Sequence, residues 1–215
     1  MAALKNTSYQ SALLVANGGL SKQELARLKG ANFDLIVAAD GGADSLIHTD
    51  YSPNLIVGDL DSVSPAARQA ISPENLIYRP SQELNDLEKA LLECRDRNMT
   101  HITVVGAFGR RLDHTLNNFS VLCKYDREFN LTLYDAWAEI FIVRKKWQYE
   151  ARKGQTISLI PLETSTGVLT RGLTYPLHSE TLRMGFREGC SNEATGGLAS
   201  VSITDGILLI FLHDS

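Results

Sequence analysis

Short apolar runs without polar alternation punctuate the first part of the chain: 11–16 (SALLVA), 35–38 (LIVA), 55–57 (LIV) and 102–105 (ITVV). A strand covered on both faces needs apolar side chains at odd and even positions alike, so these runs predict parallel strands inside an α/β layer. Helical patterns lie between them. Leu87, Ala90, Leu91 and Cys94 recur at i, i+3, i+4 and i+7, which is one face of a helix. Leu116, Phe119 and Cys123 repeat that spacing on a second helix starting near Asp113. This alternation predicts a mostly parallel, three-layer α/β domain over 1–130. From 131 onward the rhythm changes. The segments LTLYDA, EIFIVR, QYEA, QTISLI, ASVSIT and ILLIFL follow one another closely, with glycines and polar pairs between them. They predict an antiparallel β-sandwich domain over 131–215.

Composition narrows the partners. With 44% hydrophobic residues the chain has enough apolar surface for a core, which excludes a disordered protein. The formal charge of −4 leaves no basic surface for nucleic acid. The apolar run 207–212 is far shorter than the roughly 20 residues that cross a bilayer. Residues 1–10 lack the apolar centre of a signal peptide. The three cysteines, Cys94, Cys123 and Cys190, are widely spaced and suggest no disulfide frame. A soluble, cytoplasmic protein without membrane or nucleic-acid partners is the expectation.

Chemistry concentrates just after the apolar runs, where open α/β sheets bind their ligands. Asp40-Gly41-Gly42 follows 35–38, and Gly58-Asp59-Leu60-Asp61-Ser62 follows 55–57. If extended, Asp59 and Asp61 point the same way and both carboxylates can face one hard cation. The same residues also suit an ordinary turn. In Gln82–Lys89, Asn85 is a good N-cap and Glu88 sits at capping-box spacing, which leaves Asp86 as a favourable charge on the helix dipole. The alternative makes Asp86 a metal or nucleotide contact and Lys89 a phosphate contact. After 102–105, Gly106 to Asn117 combines a glycine-bearing loop with Arg111, Asp113 and His114. Arg111 can grip phosphate oxygens in a two-pronged manner, and Asp113 and Asn117 share a helix face. There Asp113 could instead be a plain N-cap and His114 a surface residue.

No Walker-type loop, dinucleotide fingerprint, nucleophile elbow or zinc-ligand spacing occurs. Asp, Gly, Arg and Lys without a nucleophilic Ser or Cys motif suit Mg²⁺-dependent phosphate chemistry.

Taken in order, these blocks resemble the thiamin pyrophosphokinase family. Asp40-Gly41-Gly42-Ala43 and 53–62 (PNLIVGDLDS) are similar to its first motifs. Gln82, Asp86, Lys89-Ala90-Leu91 and 106–118 resemble the next two, while 158–162, 172–177 and Ser191-Asn192 resemble its thiamin-side domain. The resemblance implies a homodimer with sites in clefts between subunits. It implies transfer of the pyrophosphoryl group of ATP to the primary hydroxyl of thiamin, giving thiamin diphosphate and AMP. It places Asp59, Asp61 and Asp86 on Mg²⁺ and the triphosphate, with Asp40 close by. Gln82, Lys89, Arg111, Asp113, His114 and Asn117 complete the nucleotide side, with Gly41 and Gly42 beside Asp40. Ser191 and Asn192 face the thiamin. Two departures stand out: the family usually carries Thr where this chain has Asn85, and Gly-Gly-Arg where it has Gly109-Arg110-Arg111.

Two other readings compete. One is a pyrophosphokinase for another heterocyclic alcohol, such as a hydroxymethylpterin. The other is a thiamin- or nucleotide-binding protein without catalysis.

Overall fold

The computed structural model describes residues 10–109 and 111–214, so Arg110 lies outside the described residues. The chain divides into two compact units, residues 1–136 and 137–215. In the first, β1 (Ser11–Val15), α1 (Lys22–Leu28), β2 (Leu35–Ala39), a 3₁₀ helix (Asp40–Leu46), β3 (Leu55–Gly58) and α2 (Pro65–Gln69) follow one another. Then come β4 (Leu76–Tyr78), α3 (Asp86–Asp96), β5 (His101–Val105), α4 (Leu112–Tyr125) and β6 (Asn130–Tyr134). The six strands pair in parallel in the order β6-β5-β1-β2-β3-β4.

Burial follows the apolar runs. Ala12, Leu13, Leu14 and Val15 are all fully buried, so both faces of β1 are covered. Leu13 and Val15 pack with Leu28 of α1, and α3 lies against β1, β2 and β3. Strand order reverses between β1 and β5. That is the switch point at which the loops after adjacent strands part and leave a crevice.

The strand β6 corrects one sequence expectation. Residues 131–136 read as the opening of the β domain, yet β6 pairs in parallel with β5, from His101 opposite Asn130 to Val104 opposite Leu133. Its apolar residues Leu131 and Leu133 complete the first unit's core instead.

The second unit is wholly antiparallel. Its strands are β7 (Ala138–Val143), β8 (Lys146–Ala151), β9 (Thr156–Pro161), β10 (Ser165–Arg171), β11 (His178–Leu182), β12 (Gly189–Glu193), β13 (Gly197–Ser202) and β14 (Leu208–His213). They form two sheets, β12-β9-β14-β7 and β11-β10-β13-β8. Ile157, Leu159, Leu208 and Ile210 of one sheet share a core with Trp147, Val168, Ala199 and Val201 of the other, which makes a sandwich. Among the described residues, no helix is long and apolar enough to cross a membrane.

Candidate active site

The crevice at the switch point is a cleft of about 390 Å³ lined from four strand ends and two helix starts. Asn17 comes from the end of β1. Asp40 follows β2. Asp59, Asp61 and Ser62 follow β3, and Ala107 and Gly109 follow β5. Asn85 and Asp86 open α3, while Arg111 and His114 come from the start of α4 and Asn118 from its second turn.

Three carboxylates converge in it. Oxygen atoms of Asp40, Asp59 and Asp61 all lie within 4.8 Å of one another. The convergence of Asp59 and Asp61 has a different origin from the extended alternation read from sequence. Leu60 has φ +64°, so the segment turns, and the Asp61 N–H points at Asp59 Oδ1 at 3.4 Å. A turn brings the two carboxylates together where a strand would have spaced them along one face.

Asp40 is the buried member, only 1% exposed. Its backbone is left-handed (φ +45°), a conformation Asp tolerates better than most residues. Burial pushes its carboxyl up from the ordinary range, and the charges of Asp86 and Asp61 push the same way. The Ser62 hydroxyl and the Gly41 N–H oppose them. Oδ1 of Asp40 is buried without a hydrogen-bond partner, an arrangement that is costly unless a cation or donor completes it.

Asp86 approaches the same face of Gly58 as Asp40 does. A Cβ on that glycine would come 2.9 Å from the Asp40 Cβ and 3.2 Å from Asp86 Oδ1, so only glycine lets the two approach. The set Asp59, Asp61 and Asp86 read from sequence therefore differs in one member from the group the fold gathers, which has Asp40. Asp86 lines the same cleft, and its Oδ1 is held at 2.9 Å by Lys89 Nζ, whose side chain is 4% exposed. Lys89 does not line the cleft; it is an internal counter-charge for Asp86.

Asn85 is the N-cap of α3, its Oδ1 accepting from Glu88 N–H at 2.8 Å. The capping box is not completed. Buried Glu88 turns instead to Lys124 and to the Tyr125 hydroxyl at 2.8 Å, tying α3 to α4.

On α4 the cleft-facing pair is rotated by one residue from the pair expected. Asp113 and Asn117 are exposed and do not line the cleft, whereas His114 and Asn118, also four apart, do. Asp113 instead receives two hydrogen bonds from the Arg111 guanidinium, which hold its carboxyl down at about 2. Arg111, not Asp113, is the N-cap residue of α4.

Other expected residues also fall elsewhere. Gln82 is exposed, with its amide 3.5 Å from Pro80 O, and is not on the lining. Gly41 and Gly42 are buried behind the cleft, where a Cβ on Gly42 would sit 2.3 Å from Val15 O and one on Gly41 2.7 Å from the Asn17 amide. They let the 3₁₀ turn pack on β1 and so position Asp40. Asn17, Ser62, Asn85 and Asn118 are lining residues that the sequence reading did not assign to a site. Asn17 had a usable signal, since it follows an apolar run as the three acidic loops do.

In the second unit, Ser191 is exposed with φ +55°, and its N–H donates to Ser158 Oγ at 3.0 Å. Asn192 is 6% exposed. Its Oδ1 accepts from Tyr175 N–H at 3.0 Å and from Glu193 N–H at 2.9 Å, and its Nδ2 donates to Tyr175 O at 2.7 Å. The amide is thus engaged in fixing the Tyr175 backbone, while the Tyr175 ring is exposed.

Comparison with known proteins agrees with this arrangement. A family model described as "Thiamin pyrophosphokinase, catalytic domain" matches residues 27–134. A second, "Thiamin pyrophosphokinase, vitamin B1 binding domain", matches residues 143–208. The chain is 27% identical to the thiamine pyrophosphokinase of Bacillus subtilis over 184 residues, 82% of this chain and 86% of that protein. It is 26% identical to thiamine pyrophosphokinase 1 of Oryza sativa subsp. japonica over 188 residues, 74% of this chain and 71% of that one. The crystal structure of the Bacillus subtilis enzyme superimposes with a TM-score of 0.81 at 25% identity, covering 96% of this chain and all of that one.

Proposed function

The chain belongs to the thiamin pyrophosphokinase family, and on that premise we propose that the cleft of the first unit holds ATP by its triphosphate. The enzyme transfers the β,γ-pyrophosphoryl group of ATP to the primary hydroxyl of thiamin, giving thiamin diphosphate and AMP. The bond from the thiamin oxygen to the β-phosphorus forms as the bond to the α,β-bridging oxygen breaks, and that oxygen leaves on AMP. The observation that carries the reading is the buried, unpartnered oxygen of Asp40 beside Asp59 and Asp61, at the carboxyl ends of two central strands.

A divalent cation fits this donor set, which offers only hard carboxylate oxygens, one of them orphaned. Asp40, Asp59 and Asp61 would hold Mg²⁺, with Asp86 beside them. When bound, Mg²⁺ neutralises phosphate charge and favours in-line attack on the β-phosphorus. The chain's own residues do the positioning. Arg111 and His114 meet the phosphates from the start of α4, where backbone N–H groups add a positive field. Lys89 keeps Asp86 oriented from beneath. Asp113 acts through Arg111, whose guanidinium it orients.

Arg111→Ala is expected to raise the KM for ATP by about tenfold, the size of one lost charge-assisted contact. The same substitution frees Asp113, so its carboxyl should rise from about 2 toward the ordinary range, as followed by NMR titration of the side-chain carbon. An unchanged KM and an unmoved Asp113 would remove Arg111 from the site.

The second unit supplies the acceptor contacts in this proposal, with Ser191 facing thiamin and Asn192 securing the Tyr175 segment beside it. The working form is a homodimer with sites between subunits, and the compartment is the cytoplasm. Acceptor specificity is tested by offering thiamin and a hydroxymethylpterin separately with ATP and Mg²⁺. Pyrophosphorylation of thiamin alone supports the assignment, and of the pterin alone overturns it.

A further inference from the structure

Two asparagine side chains bridge the cleft between the start of α3 and the loop from β5 to α4. Asn118 Nδ2 donates to Ala107 O at 2.7 Å, and Asn118 Oδ1 accepts from Asn85 Nδ2 at 3.2 Å. Asn85 Oδ1 accepts from Glu88 N–H at 2.8 Å. The orientation of each amide is dictated by the next. The helix N–H requires an acceptor, so Asn85 must present its donor to Asn118, and Asn118 must then present its own donor to the Ala107 carbonyl. Both side chains are half-buried, where such bonds compete with water less than at the surface. The same β5 end of the loop has a second, independent hold, because the Gly106 N–H donates to buried Glu24 Oε1 at 2.8 Å.

We propose that Asn118, acting through Asn85, is a positioning residue that sets the separation of the two cleft walls. One wall carries Asp86 and the other Arg111, and a single triphosphate has to meet both. The inference rests on the function proposed above and deepens it. Neither amide has a charge or proton to offer the reaction, and their strongest bonds run within the protein. Their contribution is geometric, and a displacement of about 1 Å in such a wall can cost up to about a hundredfold in rate.

The test compares Asn85→Thr, Asn118→Leu and the double variant in the full-length enzyme. Thr still caps α3, but its hydroxyl is a bond shorter than the amide nitrogen that reaches Asn118. Each single variant should lower kcat about tenfold with the KM for thiamin within about twofold, and the double variant should be no worse than the worse single. Hydrogen exchange at residues 107–109 should quicken about tenfold in all three, a readout independent of turnover. Unchanged exchange in that loop, or losses in kcat that simply multiply, would overturn the proposal. If Asn118→Leu does not fold, Asn85→Thr decides alone on the same two readouts. A wild-type enzyme that makes no thiamin diphosphate would instead defeat the proposed function, leaving loop exchange to decide the bridge.

Discussion

Asp59→Asn and Asp61→Asn should each cut thiamin-dependent turnover by about a hundredfold or more, equivalent to about 2.7 kcal/mol of transition-state stabilisation. The fold should survive both changes. Asp61 is exposed and Asp59 half-buried, and neither belongs to the apolar core. An asparagine keeps one side-chain oxygen to receive the Asp61 N–H or the Ser62 hydroxyl. What it removes is the charge that a cation and a triphosphate require. Steady-state kinetics beside thermal melts separate the two effects. Near-normal turnover in either folded variant would take the turn after β3 out of the chemistry.

Asp40→Asn should separate stability from activity in the opposite sense. Asp40 is buried with an unpartnered oxygen, and the charges of Asp86 and Asp61 act against it. Without cation, its ionised form is a liability to the fold. Asparagine keeps the shape, tolerates the left-handed backbone and removes the charge. In chelator at neutral pH the variant should melt about 2–4 °C higher than wild type, as about 1 kcal/mol does in a chain of this length, while turnover falls about a hundredfold. The pH dependence fixes the sign. The Asp40 carboxyl is raised in the folded state, so the stability it contributes is complete below the ordinary carboxylate range and is lost as pH rises through the folded value. The advantage of the variant should therefore vanish in acid and grow toward neutrality. A variant that is less stable at neutral pH in chelator would contradict the account of a strained carboxylate held for a ligand.

The parallel sheet was legible because burial on both faces leaves an unmistakable trace: 11–16, 35–38, 55–57 and 102–105 lack polar alternation, and each became a strand. The cap of α3 was legible for a local reason, since Asn85 needs only its own helix to act. Short elements left weaker traces. The 3₁₀ turn Asp40–Leu46 has too few residues for a period, and its glycines signal a loop until β1 is beside them. The strands β10, β11 and β12 escaped because their pairings carry register shifts, as between Ser165 and Val168 or Gly189 and Asn192, which break alternation.

At the site, strand-end logic located Asp40, Asp59, Asp61, Arg111 and His114, and the helix start at Asn85 offered Asp86; all six line one cleft. Sequence could not say which face of α4 turns inward. Pairs 113/117 and 114/118 are equally spaced, and only packing of the helix on its neighbours chooses between them. Nor could it show that the Lys89 ammonium is turned inward onto Asp86, or that the Asn192 amide closes on the Tyr175 backbone. Those assignments depend on partners distant in sequence.

The central claim is pyrophosphoryl transfer to thiamin, and the nucleotide product tests it most directly. Purified protein would be incubated with ATP and Mg²⁺, with and without thiamin, and the nucleotides resolved by anion-exchange chromatography. The account predicts AMP, formed only when thiamin is present and in equal amount with thiamin diphosphate. ADP as the thiamin-dependent product would make the protein a simple phosphokinase and contradict the chemistry assigned to the aspartate cluster.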